Sequence, residues 1–222
     1  IPMSDYAKKM SPLTPGFSGA DIANVCNEAA IIAARTDLKS VGIVQFEKAV
    51  ERVIGGLEKQ NLMTPNEKRT VAYHEAGHAV IGWFLEHASP LLKITIIPRS
   101  KGSLGFAQYL PDELHLYTRE ALEDMICTAL AGRISEDLFF GRITTGASDD
   151  IQKVTNIAQS LVMNYGMSSN LGLIGYYSEE GYHKPYSDAT NELIDEEVKR
   201  IVDDCYARTK ELAESKKDLV EK

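Results

Sequence analysis

The feature that most restricts the fold of this chain is a pair of histidines inside an apolar run, VAYHEAGHAVIGWF at residues 71–84. Residues four apart lie on one face of an α-helix, with side chains about 6 Å apart or less. His74 and His78 can therefore bind one ion in a helix, since imidazole nitrogens bind zinc at about 2.1 Å. Buried histidines without a partner are costly. The run is therefore predicted to be a helix that carries part of a zinc site.

Glu75 directly follows the first histidine and gives the motif a second chemical group. It cannot easily join the histidines on the ion, but it can reach a water molecule at the fourth coordination position. Zinc lowers the pKa of such a water to about 7, and a carboxylate can accept its proton during attack on a peptide carbonyl. Ala76 and Gly77 are expected to leave room beside the ion. The motif predicts hydrolysis with Glu75 as general base.

Two histidines leave zinc short of a protein ligand, so a third ligand must come from elsewhere in the chain. A longer motif with a third histidine is absent, because Ile81 and Phe84 occupy the positions that would need Gly and His. Helical periodicity turns His87 away from the pair. His115 and His183 lie in polar, loop-like sequence. Surface positions are therefore expected for these three histidines.

Two carboxylates are better candidates for the third ligand. In the helix that Ser148 is expected to cap, Asp150 falls about 60° from the centre of the apolar stripe, whereas Asp149 falls on the far side. Glu136 lies within the apolar stripe of the preceding helix. It could be a ligand, accept a hydrogen bond from a histidine ring, or form an ion pair with Arg133. A helical wheel alone does not show whether Asp150 or Glu136 is the third ligand.

The chain is predicted to divide near residue 57 into a small helical domain and a larger unit. In the turn sequence TPGFSG, Ser18 is placed to cap the helix ADIANVCNEAAIIAAR. A second helix around FEKAVERVI ends at Gly55-Gly56. The predicted domains are residues 1–57 and 67–222, joined by an aperiodic linker at 58–66.

The larger unit is predicted to be mostly α in an α+β arrangement with a small β-sheet. Its predicted elements are a helix at 67–86, strands LLKITIIP and LGFAQYL, a helix from Thr118 to about Phe140, a helix to about Tyr165 and a final acidic helix at about 187–212. Gly105 and Ala107 leave one face of the second strand open. An edge of this sheet could pair with the backbone of an extended substrate.

Composition excludes several other classes of protein. The 222 residues carry a formal charge of −8 without a Lys/Arg cluster, which argues against a nucleic-acid partner. Cys26, Cys127 and Cys205 lack paired spacing and are expected to be free thiols. No apolar run approaches the roughly 20 residues of a membrane span. The start at Ile1 suggests a piece of a longer protein.

Four segments in the same order resemble the FtsH family of membrane-anchored AAA metalloproteases. GFSGADIANVCNEAAIIAAR resembles the end of the AAA lid, and YHEAGHAVIGWFL resembles the zinc helix. ITIIPRSKGSLGFAQYLP is similar to the strands beside the cleft, and TTGASDDIQKVTNIAQSLV is similar to the helix with the third ligand. The likeness is greatest to the mitochondrial m-AAA branch.

The resemblance implies a site and an assembly. It implies Asp150 as the third zinc ligand, leaves Glu136 as a residue supporting the ligands, and places Ser18, Gly19 and Ala20 near the adenosine of ATP. It also implies a hexamer, of one or several kinds of subunit, that degrades unfolded or membrane proteins at the matrix face of the mitochondrial inner membrane. A bacterial or plastid membrane is the alternative location.

The sequence departs from the full family pattern because it contains no GxxxxGK[ST] phosphate loop. ATP is therefore expected to be bound fully only by the full-length protein, which would reach the membrane through segments outside this sequence. The resemblance thus predicts the end of an AAA lid followed by a zinc endopeptidase domain. The main alternative is a catalytically silent, hexamer-forming scaffold with a structural metal site. A free-standing nucleotide-binding regulator is disfavoured by the missing phosphate loop.

Overall fold

The computed structural model describes residues 3–56, 63–98, 105–110, 116–176 and 186–222, and these are mostly helical. The predicted fold class, mostly α with a small sheet, is confirmed. The helices are α1 (Met3–Met10), α2 (Gly19–Arg35), α3 (Ile43–Gly55), α4 (Pro65–Phe84), α5 (Arg119–Phe140), α6 (Ser148–Met163), α7 (Asp188–Ser215) and α8 (Lys217–Val220). The strands are β1 (Leu91–Thr95) and β2 (Phe106–Tyr109), and short 3-10 helices cover Ser11–Leu13 and Thr145–Ala147. None of the described helices combines the length and apolarity needed to cross a membrane.

The chain forms two compact units. The first comprises Ile1–Pro65 and Pro90–Asp112, and the second comprises Asn66–Ser89 and Glu113–Lys222. The β-hairpin therefore groups with the first helices rather than with α4 to α8, unlike in the sequence-based division. Specific contacts explain the grouping: the Gln108 side chain donates to the Leu13 carbonyl at 3.0 Å, and Lys93 forms an ion pair with Glu51.

The first unit is built around the packing of α2 on α3. Ser18 caps α2 as predicted: its hydroxyl accepts a hydrogen bond from the Asp21 N–H, and the Asp21 carboxylate accepts one from the Ser18 N–H at 2.8 Å. The core of this unit is formed by Val25, Ala29, Ala49 and Val50. Ile22 and Cys26, two further apolar residues of α2, are exposed.

The hairpin is a two-stranded antiparallel sheet. Lys93 pairs with Gln108 and Thr95 with Phe106, and the register shifts between Leu91 and Lys93. Among the described residues each strand has only the other as a partner. The two predicted strands are thus present.

The second unit is organised by α5, which packs against α6 and α7. Thr118 caps α5 as predicted, because its hydroxyl accepts a hydrogen bond from the Ala121 N–H. The core contains buried apolar residues of four helices, among them Ile81, Ile126, Leu130, Ile134, Leu161 and Ile201. One side of α7 also packs here, through Ile194, Val198, Ile201, Cys205 and Leu212.

The prediction that Ser148 caps α6 is wrong. Ser148 is the first helical residue, with φ −56° and ψ −49°, and no side-chain hydrogen bond caps this helix. An N-cap residue needs an extended backbone. The 3-10 turn Thr145–Ala147 leads directly into α6 and removes that extended position.

Candidate metal centre

The two motif histidines lie on the inward face of α4. Both are buried, each 8% exposed, and their Nε2 atoms are 3.1 Å apart. Asp150, in the first turn of α6, brings its Oδ2 to 3.3 Å from Nε2 of His74 and 3.4 Å from Nε2 of His78. Three possible ligand atoms from two helices therefore converge on one point.

The spacing of these three atoms fits a zinc ion. Ligand atoms of a tetrahedrally bound zinc are about 3.3–3.4 Å apart when the bonds are about 2.0–2.1 Å long. The observed separations of 3.1, 3.3 and 3.4 Å match that triangle. Among the described residues, His74, His78 and Asp150 are the only group of three His, Cys, Asp or Glu side chains arranged closely enough to bind a metal ion.

Hydrogen bonds determine which nitrogen of each ring faces the convergence point. Nδ1 of His78 donates to the Thr128 carbonyl at 2.7 Å, and a carbonyl can only accept. Nδ1 of His74 donates to Oε1 of Glu136 at 2.7 Å. With the proton on Nδ1, each neutral ring presents the lone pair of Nε2 to a metal.

Glu136 lies behind His74 and is 1% exposed. Its second oxygen accepts a hydrogen bond from the Thr144 N–H at 2.7 Å, so both carboxylate oxygens have donors. Arg133 donates instead to the Thr144 carbonyl, at 3.3 Å. Of the three possibilities left open by the sequence, this geometry corresponds to an acceptor for a histidine ring.

Asp150 is oriented inward, and Asp149 is exposed, as the helical wheel predicts. Burial disfavours the charged form of Asp150, but in the metal-free protein hydrogen bonds donated by Nε2–H groups of His74 and His78 outweigh burial and hold its pKa well below the ordinary value. Lys153 adds a favourable charge, with its Nζ 3.2 Å from Oδ1 of Asp150. The carboxylate is thus ionised, as a metal ligand must be.

Glu75 is half-buried beside this group. Burial raises its pKa, while the neighbouring imidazoles of His78 and His74 oppose the rise and Asp150 adds to it. The carboxylate therefore lies within electrostatic reach of the convergence point. A carboxylate with a raised pKa is a stronger base than an exposed one.

The sequence reasoning missed two contributors on α5, Thr128 and Gly132. The Thr128 carbonyl is a backbone acceptor, which no residue type reveals. A Cβ on Gly132 would lie 2.5 Å from Nε2 of His74 and 2.6 Å from Nε2 of His78. The only available signal was the spacing of residues 128, 132 and 136, which are four apart and share one helix face.

Gly77 has a different role from the one expected. It lies at a close approach between α4 and α5, where an added Cβ would overlap Oγ of Ser135 and lie 2.7 Å from the Ala131 carbonyl oxygen. It therefore permits helix packing and does not provide room beside the ion.

None of the other predicted residues that the structure describes belongs to the group of three converging ligand atoms. His87 is exposed, as expected, and its backbone N–H donates to Oδ2 of Asp124 at 3.0 Å. His115 and His183 lie outside the described residues. Ser18, Gly19 and Ala20 are exposed at the start of α2, in the first compact unit.

A histidine pair on one helix, completed by an aspartate from another, is typical of the metallopeptidase class. The sequence profile of peptidase family M41 matches residues 61–222, and that of the AAA+ lid domain matches residues 7–48. The chain belongs to peptidase family M41. The family resemblance expected from the sequence is confirmed.

Three relatives illustrate the similarity. The chain is 56% identical over 97% of its length to the mitochondrial inner membrane m-AAA protease component AFG3L2 of Mus musculus. It is 53% identical over 98% of its length to the ATP-dependent zinc metalloprotease FTSH 10, mitochondrial, of Arabidopsis thaliana. It is 50% identical over 94% of its length to the ATP-dependent zinc metalloprotease FtsH of Rhodothermus marinus. The chain spans 27%, 27% and 31% of these relatives' lengths, respectively.

Proposed function

We propose that this chain is the peptidase part of an ATP-dependent zinc endopeptidase, with residues 67–222 as the peptidase domain. The observation that carries this proposal is the convergence of His74, His78 and Asp150 at 3.1–3.4 Å, with Glu75 in electrostatic interaction with all three. Peptide hydrolysis needs a water made acidic enough to lose a proton, a base to accept it and a polarised carbonyl.

His74, His78 and Asp150 would bind the zinc, and Glu136 and Thr128 would hold the two rings in the required tautomer. When bound, zinc supplies Lewis acidity: it lowers the pKa of a water molecule and polarises the peptide carbonyl. Glu75 would accept the proton of the attacking water and deliver it to the nitrogen of the leaving amine. The ionised Asp150 offsets part of the charge of the cation.

The activity of the whole protein is inferred from the names of its relatives, which describe ATP-dependent proteases and mitochondrial inner membrane components. In this proposal, residues 1–57 are the C-terminal part of an AAA+ lid, and 58–66 are a linker. The whole protein would be a homo- or hetero-hexamer facing the matrix and would act on unfolded or membrane proteins. Ser18, Gly19 and Ala20 would be the remnant of a nucleotide site. Pairing of a substrate backbone with the hairpin edge stays a prediction.

The test is to measure zinc content and peptide hydrolysis in the wild type and in Glu75→Gln. We expect the variant to bind one zinc per chain and to cleave about 10²–10⁴-fold more slowly, which is the typical contribution of a general base. A short unstructured fluorogenic peptide is used alongside casein, because its cleavage requires no unfolding of the substrate. Glu86→Gln makes the same chemical change at an exposed position and should behave as wild type.

Two results would contradict the proposal. Retained cleavage by Glu75→Gln would remove Glu75 as the base. Stoichiometric zinc without cleavage of either substrate by the wild type would favour the alternative, a scaffold with a structural metal site. A structural zinc usually has a fourth protein ligand, and the described residues supply three.

A further inference from the structure

Helix α5 contributes none of the three proposed ligands, yet it contacts both histidine rings. Thr128, Gly132 and Glu136 are spaced four residues apart and lie on one face of α5. The first accepts the hydrogen bond from Nδ1 of His78, and the last accepts the one from Nδ1 of His74. The two rings are thus anchored on either side of Gly132.

Gly132 faces the metal-facing edges of these rings. An added Cβ would lie 2.5 Å from both Cε1 and Nε2 of His74, and 2.6 Å from Nε2 of His78. Nonbonded carbon and nitrogen atoms do not approach this closely, because optimal separations are about 3.5–4.0 Å. A side chain at this position would therefore overlap two of the three proposed ligand groups.

Neither ring can move away without cost. Rotation of either ring would break the hydrogen bond at its Nδ1, which is 2.7 Å long in both cases. Separation of α4 from α5 would open the close approach of Gly77 to Ala131 and loosen the core around the fully buried Ile81. The observed positions of the two rings therefore require that residue 132 has no side chain.

We infer that Gly132 is a positioning residue for the metal centre, because its missing side chain leaves the space in which Nε2 of His74 and Nε2 of His78 meet. This inference rests on the ligand set of the proposed function. In this inference α5 orients the ligands without binding the metal. The Thr128 carbonyl and the Glu136 carboxylate hold the two histidine rings by hydrogen bonds, and Gly132 leaves the space that the rings occupy.

The first experiment measures zinc affinity, by competition with a chromogenic chelator, for wild type, Gly132→Ala and the control Gly82→Ala. The control adds the same methyl group to a helical glycine of α4, where its nearest neighbour would be Cγ2 of Thr128 at an ordinary 3.6 Å. We expect Gly132→Ala to bind zinc about 10–100-fold more weakly, the range found for groups that orient ligands. Gly82→Ala should stay within about threefold of wild type. The absorption spectrum of the Co²⁺ form should lose its tetrahedral signature only in Gly132→Ala.

The second experiment tests whether the methyl group added by Gly132→Ala affects stability through contact with the rings of His74 and His78. Gly132→Ala is introduced into wild type and into His74→Ala/His78→Ala, and thermal unfolding of the metal-free proteins is compared. Without the rings the substitution should leave the midpoint unchanged or raise it, because alanine favours helix formation. With the rings present its effect on the midpoint should be clearly less favourable.

Each outcome decides a separate question. Zinc affinity of Gly132→Ala within about threefold of wild type overturns the inference and leaves the proposed function intact. An equal lowering of the midpoint in both backgrounds also overturns it, because Gly132 would then matter only for the packing of α5. Failure of the wild type itself to bind zinc overturns the proposed function and this inference with it.

Discussion

Nδ1 of His74 lies 2.7 Å from Oε1 of Glu136, and this contact determines the tautomer of a histidine 62 residues away in sequence. The second oxygen of Glu136 accepts a hydrogen bond from a backbone N–H, so the carboxylate is oriented by two donors on opposite sides. This arrangement requires a group with two acceptors and no donor, which only an ionised carboxylate provides.

Replacement of Glu136 by glutamine should therefore weaken metal binding. An amide has one donor end, which would face either the Thr144 N–H or Nδ1 of His74. In the second case the ring proton would move to Nε2 and block the metal-binding lone pair. We expect zinc affinity about 10–100-fold below wild type, measured by chelator competition.

The matched control for Glu136→Gln is Asp137→Asn, which neutralises the neighbouring residue on the half-exposed side of α5. It should bind zinc as wild type does. Equal affinity in Glu136→Gln and wild type would show that the contact with His74 does not control metal binding.

Asp150 and Asp149 provide a second test, because they are adjacent and differ mainly in orientation. Asp150→Asn should lower zinc affinity by more than the 10–100-fold or so typical of a supporting residue, since it removes a charged ligand. Asp149→Asn should have little effect, because Asp149 is exposed. Isothermal titration of the metal-free proteins with zinc measures both. A similar loss in the two variants would indicate a general charge effect rather than a ligand.

A third prediction concerns pH and stability at Glu197, which is 3% exposed. Hydrogen bonds from Arg200, at 3.0 and 2.9 Å, and then from Ser168 and Asn170 lower its pKa from 4.5 to about 2. Because the folded-state pKa is depressed, the stabilisation is complete above pH 4.5 and is lost as the pH falls towards about 2. Glu197→Gln should cost roughly 1.5–3 kcal/mol at pH 7.

Urea unfolding at pH 7 and at pH 3 measures this contribution. The difference between wild type and Glu197→Gln should shrink at the lower pH. Glu196→Gln is the control, because Glu196 is the exposed neighbour on α7. A difference that is constant across this pH range would mean that Glu197 acts through packing and not through its charge.

The fourth prediction concerns the three free cysteines. Cys26 is exposed, whereas Cys127 is 0% and Cys205 4% exposed. A hydrogen bond with Cys205 and the nearby Arg208 lower the pKa of Cys127 to about 7, but burial keeps reagents away from its thiolate. A maleimide should modify one thiol per native chain, at Cys26, and all three after denaturation. Mass spectrometry counts the modifications.

Cys26→Ser should abolish labelling of the native protein, and rapid labelling of Cys127 would contradict the described packing.

Sequence periodicity predicted the parts of the centre that are local to one helix. The four-residue spacing of His74 and His78 fixes a shared face in any helix, and the wheel correctly separated Asp150 from Asp149. It could not separate Asp150 from Glu136, because a wheel gives the direction of a side chain but not its neighbours on other helices. That distinction depends on how α5 and α6 pack.

Other features were not accessible to sequence reasoning because they depend on the backbone or on distant contacts. The role of Thr128 is carried by its carbonyl group, which every residue has. The misassigned cap at Ser148 followed from a 3-10 turn whose three residues carry no helical signature. The grouping of the hairpin with the first helices rests on contacts such as Gln108 to Leu13, 95 residues apart in sequence.

Two of the three proposed ligands lie on α4 and the third lies on α6, so that tight binding of the metal depends on completion of the fold. A chain in which α6 has not yet docked can offer zinc only the two histidines of α4, which bind without the charge of Asp150. Tight uptake then occurs only after the helices have assembled, and the bound ion in turn resists their separation. Under the proposed function, a newly made or damaged molecule would therefore be unable to hydrolyse peptide bonds until its own helices are assembled.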